Sequence, residues 1–159
     1  MQNYFGFSTD SIYHLSVGAV LRNKDGQIGV HHFDASKGDF YILMRETIEP
    51  NETIETALAR GLREEFGATA TLRRYLGPII SRFPDSHGRS IHKTTLYFLM
   101  DLQKLGDWPK HDGESDGALE WRDPEFLIKT MKAQAKRLHR EDWDESAVLE
   151  RLRDPTEND

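Results

Sequence analysis

From His14 to Arg22 (HLSVGAVLR) apolar and polar positions alternate loosely and β-formers dominate, which predicts a strand. Asn23-Lys24-Asp25-Gly26 follows as a turn signal, because Asp-Gly favours the tight hairpin connection. Gln27 to Phe33 is then the returning strand. Asp34 to Gly38 is a second loop, and Phe40 to Met44 (FYILM) a short apolar strand. Arg45 to Glu52 is polar and contains Pro50, so a loop is expected there. Residues 1–12 are mixed in character, either a loose arm or an edge strand.

Ile54, Ala57, Leu58, Gly61 and Leu62 recur with the helical period. Thr53 supplies an N-cap before them, and Gly67 a left-handed C-terminal residue after them. Beyond this helix Ala70 to Phe83 is strand-like, with a break expected at Gly77-Pro78, and Pro84 to Ser90 is a loop. Ile91 to Leu102 is β-branched and aromatic, and from Leu96 apolar on both faces, the mark of a central strand. Gln103 to Gly117 is a long polar loop, and Ala118 to Arg122 a short strand. Asp123 is expected to cap a helix that has Pro124 at its first position and runs to about Leu138. A last helix is expected over Asp144 to Arg153, before a polar tail. Strands, one helix, more strands, then helices make an α+β sandwich, with helices packed on a mixed sheet. Residues 1–159 read as a single domain, with 1–12 as an N-terminal arm and 139–159 as a C-terminal helix and tail.

Composition narrows the chemistry. A chain of 159 residues can bury roughly two-thirds of its unfolded surface and needs no covalent or metal staple to fold. With no cysteine, disulfides, thiolate metal sites and a Cys nucleophile are excluded. Lys and Arg total 21 against 27 Asp and Glu, a formal charge of -6, which disfavours double-stranded nucleic acid as a partner. Phosphates can still be held locally, by a cation clamp or a metal. No apolar run approaches the ~20 residues of a membrane span, and MQNYFGFSTDS has no charged leader followed by an apolar stretch. A cytoplasmic protein without a membrane partner is expected.

The informative segment is the end of the first helix, Arg60-Gly61-Leu62-Arg63-Glu64-Glu65-Phe66-Gly67. Two carboxylates stand in its last turn, at the negative end of the helix dipole. Each is disfavoured there by about 0.3–1 kcal/mol when exposed, and they repel each other. A divalent cation such as Mg2+ or Mn2+ would remove both penalties, since oxygen-rich acidic clusters suit these ions. A solvated charged turn, partly compensated by Arg60 and Arg63, is the plainer alternative.

The flanking residues carry a family resemblance. Glu52, then seven residues, Arg60, Leu62, Glu64, Glu65 and Gly67, with Ala68 in a final apolar position, fall in register with the box of the Nudix family. That box reads Gly, five residues, Glu, seven residues, Arg-Glu-aliphatic-any-Glu-Glu-any-Gly-aliphatic. Ile48-Glu49-Pro50-Asn51-Glu52-Thr53 resembles the stretch that opens the box. Leu43-Met44-Arg45 resembles a segment of the members that cut dinucleoside polyphosphates. Glu120-Trp121 also fits the family layout, so the resemblance covers roughly residues 13 to 138. It implies an α/β/α sandwich and metal-assisted attack of water on a nucleoside di- or polyphosphate derivative, with Mg2+ or Mn2+ held by Glu64 and Glu65. Glu52, Arg60 and Gly67 take the box's structural roles, with Glu52 and Arg60 fixing the loop onto the helix.

Two positions depart from the box. Its opening Gly is Glu46, and the Glu after its Arg is Gly61. Positions 61, 64 and 65 share one helix face, so the family's triangle of carboxylates has lost a corner. Gly inside a helix costs about 1 kcal/mol relative to Ala, which points either to close backbone packing or to drift after lost selection. The resemblance implies that the Glu replaced by Gly61 is a metal ligand or the general base, and a missing general base typically costs ~10²–10⁴ in rate. Related enzymes often place a further carboxylate in the long loop, which makes Glu114 the first replacement, then Asp116 and Asp112; Glu46 is another. Arg45, Arg82 and Arg89 are candidates for the substrate phosphates, because guanidinium matches phosphate oxygens bidentately. Tyr41, Phe83 and Tyr97 could stack on a base, although strand aromatics are mostly core. His31, His32, His87 and His92 read as structural or exposed, and Trp121 as core. The partner implied is a nucleotide-type small molecule, and the alternative activity is a catalytically silent domain that binds a nucleotide or a protein. The C-terminal helices offer either a homodimer surface or a cap.

Overall fold

One long strand organises the molecule. In the computed structural model, which describes residues 4–8, 11–33, 38–106 and 118–153, strand β2 (Ser11–Arg22) pairs in parallel with β7 (Ser90–Leu105) along its whole length. Its other edge is shared in turn by three antiparallel strands. These are β1 (Tyr4–Ser8), β5 (Met44–Thr47) and β3 (Ile28–Phe33). Strand β6 (Ala68–Pro84) pairs antiparallel with β7 on the far side, while β4 (Phe40–Ile42) and β8 (Ala118–Arg122) pair with β3. The result is a mixed sheet with helices on both faces, the α+β arrangement that the order of elements implies.

Alternation along β2 builds two cores. Val17, Ala19 and Leu21 turn to one face and pack with Ala57, Leu58, Leu62 and Phe66 of helix α1 (Ile54–Phe66). Val20 turns to the other face, with Val30, Leu43, Tyr97 and Leu99, beneath helix α2 (Pro124–Arg137) and the single-turn helix α3 (Ser146–Glu150). Gln134 of α2 ties the layers together: its amide accepts from Tyr41 N–H at 2.8 Å and donates to Tyr41 C=O at 2.9 Å.

Near the N-terminus Tyr4–Ser8 form an edge strand, β1, paired antiparallel with β2. Arg45 to Thr47, expected as loop, extend β5, because their backbone pairs with Ser16 to Gly18 and their charges find partners inside the fold. Strand β6 does not break at Gly77-Pro78; it bulges there, with Gly77 at φ 100° and Leu76 C=O accepting from Arg151 Nη1 at 2.7 Å. Asp123 occupies the N-cap position of α2, but its side chain makes no capping bond; Pro124 does stand in the first turn. The last helix is shorter than expected, one α turn flanked by 3-10 turns at Glu141–Trp143 and Arg151–Arg153. Among the described residues no helix is long and apolar enough to cross a membrane.

Candidate active site

Helix α1 begins and ends where its own residues dictate. Thr53 Oγ1 accepts from Thr56 N–H at 3.2 Å, and Gly67 turns left-handed at φ 59° so that its N–H closes on Arg63 C=O at 3.1 Å. Before the helix, Glu52 Oε2 accepts from Glu49 N–H at 2.9 Å and folds the loop into a compact turn, with Asn51 at φ 66°.

Arg60 gathers the acidic groups around it. Its fork meets Glu52 twice, Nε to Oε1 at 2.9 Å and Nη2 to Oε2 at 3.0 Å, and Nη2 also donates to Thr47 C=O at 2.8 Å. The remaining nitrogen, Nη1, lies 3.4 Å from Glu46 Oε1 and 3.4 Å from Glu64 Oε2. Hydrogen bonding from Arg60 holds the Glu52 carboxyl below its usual range, and the same contacts push the guanidinium above its own. Glu46 moves the other way: burial raises its carboxyl, against its bonds to Thr47 N–H and Arg60, and the charge of Glu65 adds to the rise. Glu65 lies 3.0 Å from His31 Nε2, and the His31 ring packs on Phe66. The two box carboxylates remain accessible, with side-chain exposures of 53% for Glu64 and 37% for Glu65.

The donor set is carboxylate oxygen throughout, which suits a hard divalent cation such as Mg2+ or Mn2+. Arg60 Nη1 already places a positive charge between Glu46 and Glu64. Among the described residues no three His, Asp or Glu side chains converge as a finished cage. A bound ion would therefore gather Glu64 and Glu65 by side-chain rotation and draw on Glu46 or a further oxygen. Glu114, Asp116 and Asp112 lie outside the described residues.

The arginines singled out in the sequence are not brought together. Arg45 faces the opposite side of β5 from Glu46; its guanidinium sits 4.3 Å over the Trp143 ring and 3.5 Å from the buried Glu145. Arg82 and Arg89 belong to the β6–β7 hairpin, at the other end of β6 from the carboxylates of α1. Arg82 Nε donates to Ser90 Oγ at 2.7 Å, and Arg89 Nε to Asp85 Oδ2 at 2.7 Å. His32 bridges Glu120 and Asp39, His92 stacks on Tyr13, and His87 is exposed on the hairpin turn. Tyr41 and Tyr97 are core. Trp121 is partly buried and packs against the α1 face of the sheet.

Sequence reasoning passed over two charged residues beneath the sheet. Glu145, 4% exposed, accepts from Leu43 N–H at 2.9 Å and from Tyr97 O–H at 2.5 Å. Burial pushes its carboxyl up and the Tyr97 phenol well up. Lys93 on β7 is held down to about 8, by burial first and then by the charge of Arg45. A Lys within a run of β-formers was the available signal for Lys93; Glu145 closes the acidic run Glu141-Asp142-Trp143-Asp144-Glu145, where nothing local sets it apart from its more exposed neighbours.

The NUDIX domain model matches residues 12–142, and the chain belongs to the Nudix family. Its fold is similar to a Nudix hydrolase from Nitrosomonas europaea, at 18% identity and a TM-score of 0.58, with 87% of each chain covered. It is similar too to a protein of Jonesia denitrificans described as a possible asymmetric diadenosine tetraphosphate hydrolase (17% identity, TM-score 0.56, 89% of this chain and 97% of that one). A MutT protein of Methanosarcina mazei Go1 gives 19% identity and a TM-score of 0.52 over 86% of this chain and 99% of that one. None of the curated proteins matches the chain in sequence.

Proposed function

We propose that the chain hydrolyses a pyrophosphate bond in a nucleoside di- or polyphosphate derivative, with Mg2+ or Mn2+ held by Glu64 and Glu65. Membership of the Nudix family supports hydrolysis of nucleoside diphosphate derivatives in general. The observation that carries the finer statement is the accessible Glu64–Glu65 pair in the last turn of a helix whose entry loop is clamped by Arg60 and Glu52. When bound, the cation polarises a phosphoryl oxygen and lowers the pKa of a water. The chain does the rest. Gly67 ends the helix so that both carboxylates sit at its rim, and Arg60 holds the entry loop through Glu52 and Thr47. A carboxylate close by accepts the proton of the attacking water. Glu114 belongs to this proposal as a further acid. Arg45, Arg82 and Arg89 are its guanidinium candidates for the phosphates; Arg82 and Arg89 stand exposed on the β6–β7 hairpin, whereas Arg45 is held against the buried Glu145 on the opposite side of β5 from Glu46.

The test is turnover. Nucleoside di- and polyphosphate derivatives, dinucleoside polyphosphates included, are incubated with the protein and Mn2+ or Mg2+, and products are resolved by ion-exchange chromatography. Release that disappears in a Glu64→Gln/Glu65→Gln double variant is expected; release equal in the two proteins refutes the assignment. Gly61, in place of the box Glu, favours a second activity, binding without cleavage. Calorimetry showing nucleotide binding with no product would establish that one instead.

A further inference from the structure

The two departures from the box are in contact. Gly61 in α1 faces β5, and a Cβ built on it would stand 2.8 Å from the Glu46 Cβ and 2.9 Å from the Met44 sulfur. Real Cβ atoms do not approach so closely, and the Glu46 Cβ is anchored to the strand backbone, so it cannot swing aside as the Met44 tip can. Positions 46 and 61 therefore have room for one side chain between them. The box as the family writes it puts that side chain on the helix, as Glu, and leaves Gly on the strand side. In this chain the same two residue types are present with their places reversed.

We infer that Glu46 is the third carboxylate of the cation site, carried on β5 instead of on α1. The inference rests on the proposed metal-dependent hydrolysis. Alternation along β5 sends Met44 and Glu46 to the α1 face, while Arg45 points to the other. From there the Glu46 carboxylate reaches the same Arg60 Nη1 as Glu64, at the same 3.4 Å. The acid missing from the helix is thus restored beside it, within the space that its absence opened. Gly61 is explained as well: it is the close approach that lets β5 bring its acid up to the helix, at the helix-propensity cost that Gly carries. Of the two origins open for Gly61 from sequence, the contact with Glu46 and Met44 selects close packing.

Four proteins test the exchange: the natural chain, Glu46→Gln, Gly61→Glu, and the double variant Glu46→Gly/Gly61→Glu. Mn2+ affinity is read by electron paramagnetic resonance, and fold by melting in the absence of metal. Glu46→Gln is expected to melt like the natural chain but to bind Mn2+ about 10–100-fold more weakly, since even loss of an outer-shell group costs a metal site that much. Gly61→Glu alone is expected to melt lower, because both side chains then compete for one space. The double variant is expected to recover both the melting temperature and the Mn2+ affinity. Unchanged affinity in Glu46→Gln overturns the inference, and this variant needs no repacking to be informative. Unchanged affinity in Glu46→Gln with lost affinity in Glu64→Gln/Glu65→Gln leaves the proposed hydrolysis standing and removes Glu46 from it. A natural chain that binds no Mn2+ overturns both.

Discussion

Arg60 holds Glu52 by both ends of its guanidinium fork, at 2.9 and 3.0 Å, across eight residues of helix and loop. Planar bidentate pairing is what Lys cannot reproduce. Arg60→Lys and Glu52→Gln should each lower stability by about 1–2 kcal/mol in urea unfolding at pH 7, below the full cost of breaking a buried pair because the loop stays partly hydrated. Glu52 has its carboxyl depressed in the fold, so the stabilisation is complete above the unfolded carboxylate range and is lost as pH falls through the folded value. The deficit of Glu52→Gln should therefore shrink on acidification. A deficit independent of pH would refute the ionic origin.

Thr53 caps α1 through one hydrogen bond to Thr56 N–H. Thr53→Ala should cost about 1 kcal/mol, and Thr53→Ser much less, by chemical denaturation. Equal losses in the two variants would place the contribution of Thr53 in its methyl group instead.

Helix α1 was legible because three local signals agree there. The apolar period, a Thr before it and a Gly after it all recur in the structure as a buried face, a side-chain cap and a left-handed residue. The register of Glu52, Arg60, Glu64 and Glu65 was legible for the same reason, since one loop and one helix hold all four. Strand β5 was not legible. Arg45 and Glu46 look like loop residues until their partners, Glu145 and Arg60, are seen to come from other elements. The chain also changes neighbours at Leu43, from β3 on one side to β2 on the other, which no local pattern announces. The contact of Gly61 with Glu46 was hidden likewise, because helix-to-strand packing decides it.

Lys93 and His14 face each other in register on β7 and β2, and burial is the first cause of depression in both, Lys93 to about 8 and His14 to about 4. In each case the unfolded chain binds the proton to higher pH than the folded one, so stability rises with pH between the two values. The unfolding free energy of the natural chain relative to Lys93→Met should thus climb between pH 8 and 10.5 and stay level from pH 7 to 8. Urea titrations across that span decide it, and a level difference throughout would count against burial of the ammonium.

Glu145 satisfies Leu43 N–H and Tyr97 O–H beneath the sheet and neighbours Arg45. Glu145→Ala leaves these groups without their acceptor and should cost roughly 3 kcal/mol or more, the scale for removing one partner of a buried charge pair. Tyr97→Phe, which removes a single hydroxyl, should cost roughly half of that or less. Thermal melts of both variants order the two losses, and the reverse order would refute the assignment.

The stretch shared with the family closes at residue 142, yet Glu145 comes after it. A residue outside the match thus anchors Leu43 and Tyr97 inside it. A chimera joined to a relative at residue 142 would keep every residue from Glu46 to Ala68 and still import a foreign tail beneath Arg45 and Tyr97. Its defect would surface at that graft, on the opposite side of the sheet from the helix that bears the box.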